Sequence, residues 1–324
     1  MSFRGGAKAI AIALAACVAL IPASSGSSAS KPELGLITEP NAGYAPIDQL
    51  LASPRHRLDL TMYELEDQSA EAILAADARR GVDVRVLLDR DYVGEANSPA
   101  YAYLAAHHVH VRWASTQVAI THEKSFVVDG RLAVIMTGNF TSRYYASDRD
   151  FALVDRSAAD VSAIEHVFSL DWANRAGAPG DGSDLVWSPG AEQTLVALIG
   201  SARHRLLVEN EEMSAEPIVS ALASAARRGV TVEVVMTESD EWDSALTALA
   251  HAGVHVRTYA YDAPLYIHAK AICVDGRRVF LGSQNFSTES LDYNRELGLI
   301  TSTDPIAASV TATLSADYSH ARPW

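Results

Sequence analysis

One polar pattern occurs twice in this sequence, and its residue types suit chemistry on a phosphodiester. Each copy contains a histidine, a lysine, an aspartate, an asparagine and an acid that follows an arginine. The copies comprise His122, Lys124, Asp129, Asn139 and Asp150, and His268, Lys270, Asp275, Asn285 and Glu296. Imidazole acts as a nucleophile or as an acid and base near neutral pH, while ammonium and amide groups hold phosphate oxygens. Two such half-sites predict one nucleophile and one proton donor.

The spacing also predicts how these groups are positioned. Alternate side chains of a β-strand share a face, so His122 and Lys124 are expected to point the same way. The same holds for His268 and Lys270, whereas Glu123 is expected to point away from the pocket. The two lysines and two asparagines would then hold one phosphate through charge-assisted hydrogen bonds. The carboxylate that closes each copy is expected to fix the tautomer of an imidazole.

The repeat extends well beyond these residues and indicates duplication of a whole domain. Arg55–Leu58 matches Arg203–Leu206, and Val109–Arg112 matches Val254–Arg257, at a nearly constant offset. We predict a leader over residues 1–30 and two domains over residues 31–178 and 179–324. A Gly- and Pro-rich stretch near residues 176–183 is typical of a linker between them.

Each half shows strands that alternate with helices, which predicts an α/β fold. In the first half, strands are predicted at Leu58–Leu65 and Val82–Leu88, with a helix at Ala70–Arg80 between them. Asp-Gly pairs at Asp129–Gly130 and Asp275–Gly276 predict tight hairpin turns, so the sheets are expected to be mixed. We therefore expect two duplicated α/β/α sandwich domains related by a pseudo-twofold axis, with one active site at their interface.

These motifs make the chain resemble the phospholipase D superfamily. Its signature is His-x-Lys, four residues and Asp, followed by a Gly-Ser-x-Asn-type segment, and it occurs twice per active site. The second copy matches that segment at Gly282, Ser283 and Asn285, whereas the first has Met136 and Thr137 in place of Gly and Ser. Thr137 retains a hydroxyl, and both Thr137 and Ser283 are expected to bind the substrate. The resemblance covers essentially the whole chain after the leader.

The resemblance implies a two-step mechanism without a metal or a cofactor. One histidine forms a phosphohistidine, and the other protonates the leaving alcohol. His122 is expected to be the nucleophile and His268 the acid and base, although the sequence itself leaves this assignment open. The catalytic set implied by the resemblance also contains Lys124, Asp129, Asn139, Asp150, Lys270, Asp275, Asn285 and Glu296. Since Asp129 and Asp275 lie at strand-turn boundaries, we expect them to orient the lysine or the turn.

Composition favours a lipid over a nucleic acid as the substrate. The chain of 324 residues carries 26 basic and 40 acidic side chains, a formal net charge of −14. An acidic surface disfavours non-specific binding to polyanions, although it does not exclude a local basic groove. We expect hydrolysis of phosphatidylcholine-type phospholipids at a membrane surface, to phosphatidic acid and a head-group alcohol, with transfer to a second alcohol left open. The alternatives are a metal-independent nuclease and a catalytically inactive protein that binds lipids or surfaces.

The N-terminus is typical of a bacterial secretory signal. Arg4 and Lys8 precede an apolar run from Ala9 to Ala23, which is short for a membrane span. A secreted, periplasmic or cell-envelope protein is therefore expected, and Cys17 leaves a lipid anchor open as the alternative. Because both half-sites lie in one chain, we expect a monomer with no obligatory protein partner.

Tyrosines lie close to both copies of the pattern. They would either line the substrate cleft or cover the sheet, and the sequence leaves both interpretations open. The residues concerned are Tyr144, Tyr145, Tyr259, Tyr261 and Tyr266.

Overall fold

Two mixed β-sheets organise the chain, one built on each half of the sequence. The computed structural model describes residues 33–180, 182 and 184–324, so the predicted leader and its Cys17 lie outside the described residues. Each sheet has eight strands, with parallel and antiparallel pairs in both. The predicted pair of duplicated α/β domains with mixed sheets is therefore confirmed.

In the N-terminal half, strands and helices alternate before the chain folds back through a run of antiparallel strands. The elements are β1 (Leu34–Glu39), α1 (Ala45–Leu51), β2 (Arg57–Met62), α2 (Gln68–Arg79), β3 (Asp83–Leu88), α3 (Gly94–Ala106), β4 (His110–Trp113), β5 (Lys124–Val128), β6 (Leu132–Met136), β7 (Asp148–Asp155) and α4 (Ala158–Trp172). Their order in the sheet is β1-β7-β6-β5-β2-β3-β4. Strands β2, β3 and β4 run parallel, and the other neighbours run antiparallel.

The C-terminal half repeats this plan with small changes at its edges. Its elements are β8 (Leu185–Ser188), α5 (Ala191–Gly200), β9 (Arg205–Glu209), α6 (Glu216–Arg227), β10 (Thr231–Thr237), α7 (Asp243–His251), β11 (His255–Tyr259), β12 (Tyr266–Ile267), β13 (Ala271–Val274), β14 (Arg278–Gly282), α8 (Thr288–Asp292), β15 (Glu296–Thr301), α9 (Asp304–His320) and β16 (Arg322–Pro323). The sheet order is β16-β11-β10-β9-β13-β14-β15-β8, while β12 joins the first sheet. Among the described residues, the helices are too short or too polar to cross a membrane.

Alternation along the strands distributes apolar side chains to both faces of each sheet. In β5, Phe126 and Val128 pack into a cluster that belongs to the N-terminal half, whereas Val127 packs into a cluster shared by both halves. The shared cluster contains residues of α4 and α9, such as Ile164 and Val310, together with the inner faces of both sheets. Burial of this common layer joins the two halves through the hydrophobic effect.

The predicted Asp-Gly hairpin turns are present in both halves. Asp129 and Gly130 have φ angles of 52° and 61°, and Arg131 N–H donates to the Val128 carbonyl, as in a turn with two left-handed residues. The carboxylate of Asp129 accepts hydrogen bonds from the backbone N–H groups of Arg55, His56 and Arg57. Asp275 binds the equivalent backbone groups in the second half. Each aspartate therefore connects its hairpin turn, through hydrogen bonds, to the backbone at the start of the neighbouring strand, which is β2 in the first half and β9 in the second.

Two buried ion pairs connect the halves. Arg149 in β7 binds Asp317 of α9 through two hydrogen bonds of 2.5 and 3.0 Å. Arg295, which precedes β15, binds Asp171 of α4 at 2.8 and 3.1 Å. Each arginine thus reaches the last helix of the opposite half. Such planar, two-point pairing fixes orientation as well as charge.

We expect Arg295→Met to destabilise the protein by about 3–5 kcal/mol, because it leaves the Asp171 carboxylate buried without its partner. The two side chains are only 8% and 4% exposed. Urea unfolding followed by circular dichroism measures the change. The control is Arg57→Met, which breaks an ion pair whose side chains are 49% and 42% exposed. That control should cost less than about 1 kcal/mol, and an equal loss in both variants would contradict a structural role for the buried pair.

Candidate active site

A cavity of about 420 Å³ lies where the two halves meet. Both histidines and both asparagines of the repeated pattern line it, as does Asp150. Further lining residues include Tyr44, Tyr63, Glu64, Tyr144, Tyr145, Asp148, Glu211, Glu212, Tyr261 and Tyr266. The structure therefore brings both histidines, both asparagines and Asp150 of the repeated pattern to one cavity.

Backbone pairing between the halves positions the two histidines. Strand β12, directly before His268, pairs in parallel with the first residues of β7. On the other side, Thr121 forms a bridge with Arg295, and the His122 N–H donates to the Arg295 carbonyl at 3.0 Å. In β7, Asp150 directly follows the paired residue Arg149. At the start of β15, Glu296 directly follows Arg295. Each histidine is thus placed beside the acid of the opposite half.

Each imidazole is held by a carboxylate from the other half. His122 Nδ1 lies 2.9 Å from Glu296 Oε2, and His268 Nδ1 lies 2.9 Å from Asp150 Oδ1. A carboxylate accepts a hydrogen bond, so Nδ1 carries the proton when the ring is neutral and Nε2 is left with a lone pair. Ser290 Oγ donates to Glu296 at 2.6 Å and restrains that carboxylate. Both rings are therefore oriented for chemistry at Nε2.

The two histidines differ in their electrostatic surroundings. Burial lowers the pKa of His122 from its ordinary value, and the attraction of Glu296 offsets this only in part. Burial also opposes charge on His268, but the carboxylates of Asp150 and Glu211 outweigh it and raise the pKa of His268. His122 is therefore the more readily neutral ring, and His268 is the more readily protonated one.

The two lysines do not line the cavity and are almost fully buried. Lys124 Nζ donates to the His122 carbonyl at 2.5 Å and lies 4.8 Å from the centre of the Tyr63 ring. Burial lowers the pKa of Lys124 to about 7. Lys270 Nζ donates to the His268 carbonyl at 2.5 Å and to Glu211 Oε2 at 2.8 Å. Each lysine therefore supports the backbone of its own histidine.

The asparagines lie on opposite walls of the cavity, in loops that follow β6 and β14. Asn285 Nδ2 donates to Glu212 Oε1 at 2.9 Å. In both asparagines, the side-chain oxygen is buried and has no hydrogen-bond partner among the described residues. Both asparagines can therefore reach a ligand in the cavity, and their role as donors to a phosphate stays a prediction.

The expectation that Thr137 and Ser283 contact the substrate disagrees with their position. Both are buried, at 1% and 0% exposure, and neither lines the cavity. Thr137 Oγ1 donates to Asp150 Oδ1 at 2.5 Å, while Ser283 Oγ accepts from the Leu297 N–H at 3.1 Å. Both hydroxyls end a strand and face its neighbour, so they support the acids and their strands rather than the substrate.

The structure also places Asp129 and Asp275 away from the cavity, although the resemblance put them in the catalytic set. Their carboxylates are satisfied by three backbone N–H groups each, which lowers the pKa of both side chains despite some burial. They orient the hairpin turns described above rather than the lysines. The sequence contained a signal for this, because Asp before Gly at a strand end is typical of a turn.

Several cavity residues were not predicted from the sequence, including Tyr63, Asp148 and Glu212. They have no place in the repeated motif, so only the ends of β2, β7 and β9 bring them to the cavity. Five tyrosines were expected either to line the substrate cleft or to cover the sheet, and four of them line the cavity. The fifth, Tyr259, instead donates to the Asp317 carbonyl at 2.9 Å.

One cluster in the cavity has the composition of a cation site. Oxygen and nitrogen atoms of Asp148, Asp150 and His268 lie within 4.8 Å of one another. Two of these residues already bind each other, since Asp150 holds His268 Nδ1. Burial raises the pKa of Asp148 to about 6. The cluster is therefore explained by the hydrogen bond that orients the imidazole.

Comparison with known proteins identifies the family of this chain and its fold. The family described as cardiolipin synthase, PLD-like domain, matches residues 47–172 and 195–318. Phosphatidylserine synthase from Haemophilus influenzae superposes with a TM-score of 0.68 at 14% identity, over 90% of this chain and 87% of that chain. Polyphosphate kinase from Porphyromonas gingivalis gives a TM-score of 0.68 at 16% identity, over 87% of this chain.

This chain spans about half of the polyphosphate kinase, 46% of its length. At such low identities the two structures establish a shared fold alone, and no curated protein sequence matches the chain significantly. The family match covers both halves and includes both copies of the polar pattern. The chain therefore belongs to the phospholipase D superfamily, in the family described as cardiolipin synthase, PLD-like domain.

Proposed function

We propose that the protein is an exported phosphodiesterase that hydrolyses phospholipids of the phosphatidylcholine type to phosphatidic acid and a head-group alcohol. The observation that carries this proposal is the pair of imidazoles in one cavity, each with Nδ1 held by a carboxylate of the opposite half. Such a pair suits double displacement at phosphorus, in which one ring attacks and the other transfers protons.

In the first step, His122 Nε2 attacks phosphorus and forms a P–N bond. The P–O bond to the head-group alcohol breaks, and protonated His268 gives its Nε2 proton to the leaving oxygen. The amides of Asn139 and Asn285, which line the cavity, hold the phosphate oxygens as negative charge builds up on them, and the buried ammonium groups of Lys124 and Lys270 stabilise that charge through space. Glu296 stabilises the positive charge that develops on the attacking imidazole.

In the second step, His268 Nε2 takes a proton from water as the water oxygen attacks the phosphohistidine. The P–N bond breaks, phosphatidic acid leaves, and both histidines return to their starting protonation states. A second alcohol in place of water would give transfer instead of hydrolysis. The lower pKa of His122 and the higher pKa of His268 favour this division of roles.

The character of the cavity favours a lipid head group over a nucleic acid. Among the described residues that line it there is no lysine or arginine, whereas five carboxylates and six tyrosines are present. A nucleic acid carries further phosphates on both sides of the scissile bond, and these would meet acidic side chains. A choline group is a cation with apolar methyl groups, which aromatic rings and carboxylates bind well.

We expect the protein to release choline from phosphatidylcholine vesicles in the presence of EDTA, and to leave single- and double-stranded DNA intact. Choline release and gel electrophoresis measure the two activities. Cleavage of DNA without lipid turnover would instead support the nuclease, and complete loss of activity in EDTA would contradict a metal-free reaction. Vesicle binding without any turnover would support the inactive alternative.

We expect His268→Ala and His122→Ala to fail at different steps. With a p-nitrophenyl phosphodiester, the leaving group needs no proton, so His268→Ala should still release one equivalent of p-nitrophenol and then stall. Mass spectrometry should find the phosphoryl adduct on His122. On a lipid substrate, loss of His268 should reduce turnover by about 10²–10⁴-fold.

His122→Ala should give neither the burst nor the adduct. The control is His110→Ala, which replaces an imidazole whose side chain is 68% exposed, and this variant should keep full turnover. An adduct on His268 in the His122→Ala variant would reverse the assignment of the two roles.

We expect kcat/KM to depend on pH as a bell-shaped curve. Activity should fall in acid as His122 gains a proton, below its ordinary pKa of 6.5, because burial lowers that pKa. Activity should fall in base as His268 loses its proton, above 6.5, because its carboxylates raise that pKa. Asp150→Asn should shift the basic limb to lower pH, since Asp150 is the strongest contributor that raises this pKa. A basic limb that does not move would contradict the assignment to His268.

A further inference from the structure

The carboxylate of Glu211 occupies the centre of the C-terminal half-site. Its Oε2 atom lies 2.8 Å from Lys270 Nζ and 3.4 Å from Asn285 Nδ2. The same oxygen lies 3.5 Å from His268 Nε2, the ring nitrogen that remains free once Asp150 holds Nδ1. A single negative oxygen therefore meets an ammonium, an amide and an imidazole together. This is the set of partners that a phosphate oxygen would have during the proposed reaction.

Among the residues that the structure describes, no carboxylate takes the equivalent position in the N-terminal half-site. In the repeat, Tyr63 is the residue of the first half that corresponds to Glu211. It directly follows Met62, and Glu211 directly follows Asn210, the residue that corresponds to Met62. Its ring lies 4.5 Å from the His122 ring and 4.8 Å from Lys124 Nζ, measured from the ring centre. Lys124 thus faces a neutral ring where Lys270 faces a carboxylate. Both half-sites therefore contain a histidine held by a carboxylate, but within the described part of the chain only the C-terminal half-site has a further carboxylate at the position expected for a phosphate oxygen.

We propose that Glu211 determines substrate specificity. Its carboxylate occupies the position that a phosphate oxygen takes in the C-terminal half-site, so a substrate binds by displacing it. This displacement favours phosphodiesters whose leaving alcohol carries a positive charge. This inference rests on the proposed phosphodiesterase function. A displaced carboxylate loses its bond to Lys270 and needs a new cation. No lysine or arginine lines the cavity among the described residues, so the substrate itself must bring that cation.

The surroundings of Glu211 allow this exchange. The side chain is 25% exposed and lies at the cavity wall just after β9, so it has space to rotate. Tyr266 O–H lies 3.4 Å from Glu211 Oε1, and Tyr261 packs edge-on against Tyr266 with ring centres 6.3 Å apart. A quaternary ammonium or an ammonium group between these rings and the released carboxylate would gain both an ion pair and cation–π contacts.

Binding of inorganic phosphate tests the displacement without any need for turnover. Isothermal titration of the full chain should show that Glu211→Gln binds phosphate about tenfold or more tightly than the wild type, because the internal competitor loses its charge. Glu66→Gln is the control, since Glu66 pairs with Arg143 and does not line the cavity. Glu66→Gln changes the net charge equally and should shift the dissociation constant by less than about threefold.

Substrate choice tests the second half of the proposal. With short-chain water-soluble lipids, the ratio of kcat/KM for the choline ester over the glycerol ester should fall about tenfold in Glu211→Gln. The ratio should stay close to that of the wild type in Glu66→Gln. Glu211→Ala serves as a second variant, and circular dichroism checks that each protein folds.

Two results would overturn the proposal. Equal phosphate affinity in the wild type and both Glu211 variants would show that the carboxylate does not compete for the anion position. An unchanged choline-to-glycerol ratio would show that it does not select the head group. If no lipid is turned over by any form, the proposed function fails, and the phosphate titration still decides whether Glu211 occupies the site.

Discussion

The constraint on which the rest of the site depends is the hydrogen bond between each imidazole and a carboxylate of the opposite half. Asp150 reaches His268, and Glu296 reaches His122. Each acid follows an arginine in an extended segment, and neighbouring side chains of such a segment point to opposite sides. The acid therefore reaches the histidine while the arginine reaches the last helix of the opposite half. Neither half alone contains an oriented imidazole.

The duplicated frame is close to symmetric, but the chemistry inside it is not. Tyr63 beside one histidine and Glu211 beside the other give the two rings different fields, and the pKa of His122 is lowered while that of His268 is raised. The two copies also differ between the histidine and the lysine, where the first has the buried Glu123 and the second has Ala269. Burial raises the pKa of Glu123 to about 7. The duplicated half-sites thus share their histidines and lysines but differ in the groups around them and in the pKa of their imidazoles.

Much of the fold follows from local patterns. The helix predicted at Ala70–Arg80 is α2, which begins two residues earlier, and the predicted Asp-Gly turns connect β5 to β6 and β13 to β14. Strand β1 and helix α1 were not predicted, because they precede the first segment for which the repeat gave a signal. Thr137 and Ser283 were expected to bind the substrate, and the structure places both hydroxyls against a neighbouring strand, because a hydroxyl at a strand end can face either the cavity or that strand. Local sequence does not distinguish these two directions.

The sequence by itself determined the family, the duplicated α/β architecture and the residue types of the two half-sites, because all three depend on local periodicity and on repeated spacing. Only the tertiary structure decided which acid holds which histidine, where Tyr63 and Glu211 stand, and how the two imidazoles differ in pKa. These properties depend on contacts between residues more than 100 positions apart, such as Asp150 and His268. Burial and the local field at such contacts arise only when both halves are assembled, since the energy of a charge depends on everything packed around it.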